Sequence, residues 1–209
     1  MTLDFAAARE NMVENQVRTN DVTDLAIQDA MREVRREQLC SPTKLQLAYA
    51  EAPVEYAPGY YLMEARDTAK LLQGVRPRAG ERALAIAAPY AAALLAAMGL
   101  KVKLRLAEGV DSKTLIQAGV DVENGDLTQA DGGAPYDVIV VEGAVTKAPE
   151  AWMSMLADGG RLGVIERQGP VGRARLYVRG ADQVIAVRTL FDATPPMLDG
   201  FAPVAAFHF

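Results

Sequence analysis

Few side chains in this sequence have the type and spacing to do chemistry. Glu142 follows the apolar run Val138, Ile139, Val140 and Val141, so its carboxylate would face a cleft at the end of a buried strand, or cap the helix that follows. Asp126 follows Gly125, a pairing that serves either a ligand or the backbone of a turn. Cys40 has no histidine near it in sequence to activate it as a nucleophile, and a small half-buried residue is the simpler account. His208, between Phe207 and Phe209, alternates with aromatics as an exposed strand residue would. Arg173, Arg175 and Arg179 share one face of an expected strand, which reads as a solvated edge. Tyr56, Tyr60 and Tyr61 would line a peptide groove or pack inside the domain.

One cysteine and one histidine exclude an intramolecular disulfide and a Cys/His metal cluster. The formal net charge of −5 makes nucleic acid a weak candidate partner, because neutralising phosphates calls for a basic excess. No apolar run approaches the roughly 18 residues of a membrane helix, the longest being the alanine-rich stretch around Ala91 to Met98. Asp4, Arg9, Glu10, Glu14 and Arg18 interrupt any signal-peptide core at the N-terminus, so the cytoplasm is the expected compartment.

The elements that must position these groups follow from periodicity. Ile27, Met31 and Val34 recur at helical spacing after Asp21, Thr23 and Asp24, which predicts a helix of about four turns. Phe5, Ala8 and Met12 predict another before it, and Pro42 with Leu45 and Leu47 a shorter one. Pro53, Pro58 and Gly59 break the next stretch into extended pieces, and a helix over 66–73 is expected to end at Gly74. From Arg82 strands and helices alternate: 82–87 extended, 90–98 helical, 102–106 extended, 112–118 helical, 120–123 and 138–141 extended. A helix over 149–156, a turn at Gly159-Gly160 and a strand over 162–165 complete the alternation. Short apolar strands separated by helices define an α/β fold with a mostly parallel sheet covered on both faces. Residues 175–179 and 184–190 alternate around Gly180-Ala181-Asp182, so an antiparallel hairpin finishes the sheet. The expectation is a single domain over 1–209, with a helical and extended segment over 1–80 and a sheet core over 81–209.

In such sheets ligands sit at the carboxyl ends of the strands, beside the first βα turn. That turn is Ala87-Ala88-Pro89, and no two of the 17 glycines are separated by a single residue, so a dinucleotide fingerprint and a P-loop are excluded. Several stretches nevertheless resemble the protein-L-isoaspartate O-methyltransferase family. Met12-Val13 through Gln16-Val17 resemble its N-terminal helices. Ala30-Met31, Val34 and Arg36-Glu37 resemble its "AM..VPRE" segment, with Arg35 in place of proline. Ala48-Tyr49 with Pro53 resemble "AY.D.PL", and Gly125-Asp126 resembles "GDG". Ala134 to Val140 resembles "APYDxIIV", and Leu156 to Leu162 resembles "L..GGRL".

The resemblance implies a Rossmann-like class I methyltransferase fold, S-adenosylmethionine as cofactor and isoaspartyl-containing proteins or peptides as substrate. The departures fall on the chemistry. Where the family has "VLEIGTGSGY", residues 83–90 read ALAIAAPY, two residues shorter and without the acid or any glycine. An alanine held in the left-handed region costs roughly 1–2 kcal/mol, and its Cβ takes space that the methionine moiety needs. Met63 stands at the serine of the family's "GxTISQP", where it is not expected to function, and Glu64 beside it would repel an anionic substrate. The acid that holds ribose hydroxyls would fall near Arg105 or Leu106, and Glu108 substitutes only if the register slips. Asp126 matches the adenine-side acid.

Ala87, Ala88, Tyr90, Glu108, Asp126 and Glu142 are therefore the candidate cofactor residues. Three readings follow. The main one is a family member weakly active or inactive because its cofactor loop and substrate serine are lost. A second is an active carboxyl methyltransferase in which Tyr90, Glu108 and Asp126 compensate. A third is a noncatalytic scaffold with an unknown protein partner, or an enzyme for a different ligand.

Overall fold

The structure, a computed structural model, describes residues 4–113, 115 and 118–202. His208 and its flanking phenylalanines lie outside the described residues. The chain opens with α1 (Phe5–Met12), which runs into a π-helical turn over Val13–Val17, and with α2 (Leu25–Glu33). Asp24 caps α2 by accepting the amides of Ala26 at 3.0 Å and Ile27 at 3.4 Å. The helix is shorter than the four turns expected, because Val34 takes an extended backbone and ends it after nine residues. Short 3-10 turns over Arg36–Leu39 and Pro42–Leu47 lead to a hairpin of β1 (Val54–Ala57) and β2 (Tyr60–Leu62), turned by Pro58 and Gly59, whose φ is +78°.

The next helix, α3 (Ala65–Val75), does not end at Gly74. Gly74 is needed inside it for a close approach: a Cβ there would collide with Leu190 Cδ1. The left-handed residue after the helix is Arg76 instead, at φ +49°. Beyond it the alternation read from the sequence appears as β3 (Arg82–Ile86), α4 (Pro89–Ala97), β4 (Lys101–Leu106), β5 (Val120–Asn124), β6 (Tyr136–Val145), α5 (Glu150–Ser154) and β7 (Leu156–Glu166). Pro89 at the first helical position favours the start of α4, and seven of its nine residues are buried, as an almost wholly apolar helix requires. Of the helix expected over 112–118, the described residues Lys113, Leu115 and Ala118 lie in turns, and Thr114, Ile116 and Gln117 are outside the described residues.

The hairpin β8 (Gly172–Arg179) and β9 (Ile185–Ala193) ends the sheet, whose order is β5-β4-β3-β6-β7-β8-β9. The first five strands in that order are mutually parallel, and β8 and β9 are antiparallel additions. The Gly159-Gly160 pair forms a bulge inside β7 rather than a turn before it, since Leu156 pairs with Tyr136 and Arg161 already pairs with Val138. Nor is β8 an edge: β9 covers it, Arg175 reaches Glu166 at 3.6 Å, and Arg179 donates to the carbonyl of Ser154 at 3.1 Å.

Candidate functional site

The strand order reverses between β3 and β6, which makes the crevice at their carboxyl ends the ligand position of this architecture. Four turns contribute to it: Ala87-Ala88 after β3, Ala107-Glu108 after β4, Gly125-Asp126 after β5, and Glu142 within the irregular end of β6.

On the β3 side one alanine of the turn takes the left-handed backbone that more often falls to glycine: Ala87 sits at φ +48°. Its polar backbone groups are spent internally: the amide donates to the Arg105 carbonyl at 2.8 Å, and the carbonyl accepts the Tyr56 hydroxyl at 3.2 Å. Ala87 and Ala88 are both 0% exposed. Pro89 has no amide to offer, and the Ala92 amide is bonded to the Ala88 carbonyl at 2.9 Å.

The first-turn amides of Tyr90 and Ala91 lie near enough to the Glu142 carboxylate to favour its charged form, although its Oε2 is buried without a hydrogen-bond partner. Glu142 is 1% exposed, and its Oε1 accepts the Thr68 hydroxyl at 2.6 Å. It therefore serves α4, which precedes it in the chain, and not the helix that follows, whose N-terminal flank is Pro149. Burial pushes the Glu142 carboxyl up to about 7, against the opposing pull of Thr68, the Arg36 guanidinium and the two amides.

Behind this carboxylate lies a buried polar group that the sequence reading missed. Arg36 is 0% exposed, donates to the carbonyls of Ala48 at 2.8 Å and Met63 at 2.6 Å, and lies 4.5 Å from the centroid of the Tyr90 ring. Tyr90 is completely buried under it, so its side chain belongs to this cluster and not to a cleft. Met63 is buried as well and is tied by its carbonyl to Arg36. Glu64 pairs with Arg66 at 2.9 Å. The visible signal for Thr68 was its position on the apolar stripe of α3 with Ala65, Ala69 and Leu72. Arg36 carried no periodic signal beyond its family-like neighbourhood.

On the β4 and β5 side the crevice is open. A cavity of about 370 Å³ is lined by Glu108, Asp126, Thr128, Tyr60, Asp199 and Phe201, among others. Glu108 is exposed, two residues past the end of β4. Arg105, within the strand, is committed to Glu123 at 2.8 Å and carries no ligand role. Asp126 also binds backbone: its Oδ1 accepts the Thr128 amide at 2.8 Å and the Thr128 hydroxyl at 2.7 Å, bonds that hold its carboxyl below the ordinary range. Asp199 and Phe201, in the irregular tail, were not anticipated. Cys40 is buried, and burial raises its thiol to about 11, which suits an inert packing residue. Among the described residues no cluster of three or more His, Cys, Asp or Glu side chains is arranged to hold a metal, and no helix is long and apolar enough to cross a membrane.

Sheet order, crevice and antiparallel end strands define a Rossmann-like class I methyltransferase fold. Two solved structures share it: one named protein-L-isoaspartate O-methyltransferase (TM-score 0.76, 21% identity, 93% of this chain and 67% of that one), and one described as a putative protein-L-isoaspartate O-methyltransferase from Plasmodium falciparum in complex with S-adenosyl-L-homocysteine (TM-score 0.76, 17% identity, 91% and 98%).

The family profile for protein-L-isoaspartate(D-aspartate) O-methyltransferase matches residues 7–190, and the chain belongs to that family. Among its relatives are protein-L-isoaspartate O-methyltransferase from Methylorubrum populi, 34% identical over 192 residues (85% of this chain, 88% of that protein), and protein-L-isoaspartate O-methyltransferase 1 from Rhodopseudomonas palustris, 34% identical over 168 residues (76% and 69%). S-adenosylmethionine is the methyl donor of the family.

Proposed function

We propose that this chain is a protein-L-isoaspartate O-methyltransferase family member in which the methionine end of the cofactor cleft is closed, so that methyl transfer to isoaspartyl peptides is weak or absent. One observation carries the reading: the Glu142 carboxylate lies near the first-turn amides of α4, beside a turn that is wholly buried. A helix N-terminus at a switch point is where an anionic ligand group binds, and here the buried carboxyl of Glu142 already occupies that position. Met63 in place of the family serine, buried and without a hydroxyl, supports the same conclusion on the substrate side.

A second reading has its own support in the cavity beside Glu108 and Asp126, which has the size of a small-ligand site and carboxylates able to accept hydroxyl donors. On this reading the nucleoside end of the cleft still binds. The residues act as one domain over 1–209, supported by the packing of α2 on α4 and of α3 on β7.

Labelled-methyl transfer from S-adenosylmethionine to an isoaspartyl peptide tests the proposal. The native chain is expected to give no transfer above the blank. A variant with the Ala87-Ala88-Pro89 turn replaced by a glycine-containing loop two residues longer, combined with Glu142→Thr, is expected to gain cofactor binding. Turnover by the native chain at a rate typical of enzymes, on the order of 1 per second or faster, would overturn it.

A further inference from the structure

A further concavity lies away from the crevice, at the opposite end of the sheet. It encloses about 830 Å³ between the end of α3, the turn that follows and β9. Lys70, Arg76, Arg78 and Arg188 line it, against the carboxylates of Asp21 and Asp24, so a chain of net charge −5 has a local basic excess here. An adjoining cavity of about 290 Å³ shares Gly74, Arg76, Arg78 and Arg188 and extends the trough across β8 to β7.

The cations are uncommitted while the backbone that carries them is fixed. Among the described residues the guanidinium groups of Arg76, Arg78 and Arg188 make no hydrogen bond and no ion pair. Yet the Arg76 amide donates to the Leu72 carbonyl at 3.0 Å, its carbonyl accepts Arg161 Nη2 at 2.8 Å, and the Arg78 amide donates to Glu81 Oε2 at 2.9 Å. Pro77 between them restricts the backbone further. Arg188 comes from a different element, and its strand is held close because Gly74 admits Leu190 against α3. Lys70 is placed over the Phe191 ring, 4.8 Å from its centroid. On the far wall the Gln73 side chain accepts the amides of Thr23 and Asp24 and donates to the Asp21 carbonyl at 2.9 Å, and Asp24 is occupied as the cap of α2.

A second basic concavity provides the contrast. Around Arg82, Lys101 and Lys103 the cavity holds about 610 Å³, but Lys103 is neutralised by Glu123 at 2.8 Å and Asp131 at 3.2 Å, and Arg82 donates to the Gly133 carbonyl.

We infer that the α3–β9 trough is a binding site for a small polyphosphate. Arginine matches phosphate through paired, charge-assisted donors, and the cavity has the size of a small-molecule site. The cations come from three segments that line one cavity, which favours a compact multivalent anion over a polymer. The free anion and the phosphate chain of a nucleotide share this chemistry.

Calorimetric titration of inorganic tripolyphosphate into the full chain at low ionic strength tests it. Saturable one-to-one binding is expected, weakened by 0.3 M salt because the contacts are charged. The double variant Arg76→Gln with Arg188→Gln should weaken binding about tenfold or more, the single variant Arg78→Gln several-fold, and Lys101→Gln in the other basic cavity should leave it unchanged. ATP binding equally would mean that only the phosphate chain is read, and tighter ATP binding that the nucleoside is read too; both sustain the site. No saturable heat, equal losses with Lys101→Gln, or tighter binding of an oligonucleotide or an acidic peptide through the same arginines would overturn it.

Discussion

The two halves of the crevice differ in how their polar groups are used. On the β3 and β6 side most groups that could meet a ligand are turned inward: the Ala87 amide and carbonyl, Glu142 Oε1 and the Met63 carbonyl have partners within the protein, whereas Glu142 Oε2 and the Tyr90 hydroxyl are buried without one. On the β4 and β5 side Glu108 is exposed at the mouth of a cavity, although Asp126 is already bonded to Thr128. A binding cleft needs unsatisfied donors and acceptors held in place, whereas a core needs them satisfied. By that criterion the β3 and β6 side is packed like a core, with Glu142 Oε2 and the Tyr90 hydroxyl as its exceptions, and the β4 and β5 side is surface.

The largest effect that would break this comparison is on Arg36. Arg36→Ala removes the donors to Ala48 and Met63 and leaves Glu142 without its nearby cation, so it should lower the unfolding free energy by about 3–5 kcal/mol in urea titration. A loss below about 1 kcal/mol would mean that the closed half is not held by this cluster.

Glu142 offers a pH test. Its folded carboxyl titrates near 7, above the ordinary value of 4.5, so the fold favours the protonated form. Stability from this group is complete below about pH 4.5 and is lost as the pH rises through about 7, a change on the order of 3 kcal/mol. Glu142→Gln should flatten that slope and raise the midpoint of thermal unfolding at pH 8 relative to the parent, while changing little at pH 4.5. An identical pH profile in the two proteins would show that Glu142 is not the buried acid described.

The open half should respond in binding and not in stability. Glu108→Gln is expected to weaken adenosine binding about tenfold while shifting the unfolding free energy by less than about 0.5 kcal/mol. Equal affinity in the two proteins would remove Glu108 from the site. The smallest effect belongs to Ala87→Gly. Relief of the left-handed alanine, roughly 1–2 kcal/mol, is offset by the greater entropy of glycine in the unfolded chain, so a net gain of about 0.5 kcal/mol is expected in denaturant titration. A loss of stability would show that Ala87 is not in the left-handed region.

Much of this was legible in the sequence because it is local. Alternating apolar runs fix β3, β4 and β6, the hairpin signal at Gly180 to Asp182 fixes β8 and β9, and the missing glycines at Ala87 and Ala88 point to the altered turn. The rest depends on contacts between segments far apart in the chain. Arg36 meets Met63 and Tyr90 across 27 and 54 positions, and Thr68 meets Glu142 across 74. Such pairs leave no periodic mark, so the buried side chains around Glu142 are invisible in the sequence while the altered turn beside them is not. Gly74 was misjudged for a similar reason, since its partner Leu190 lies on the last strand.

Calorimetric titration of the full chain with S-adenosylhomocysteine and, in parallel, with adenosine measures the two halves directly. If the methionine end is closed and the nucleoside end open, both ligands bind with affinities within about threefold of each other, because the homocysteine tail finds no partner. Binding of S-adenosylhomocysteine at least tenfold tighter than adenosine would contradict the account, since the tail would then have a site at Ala87, Ala88 and the start of α4.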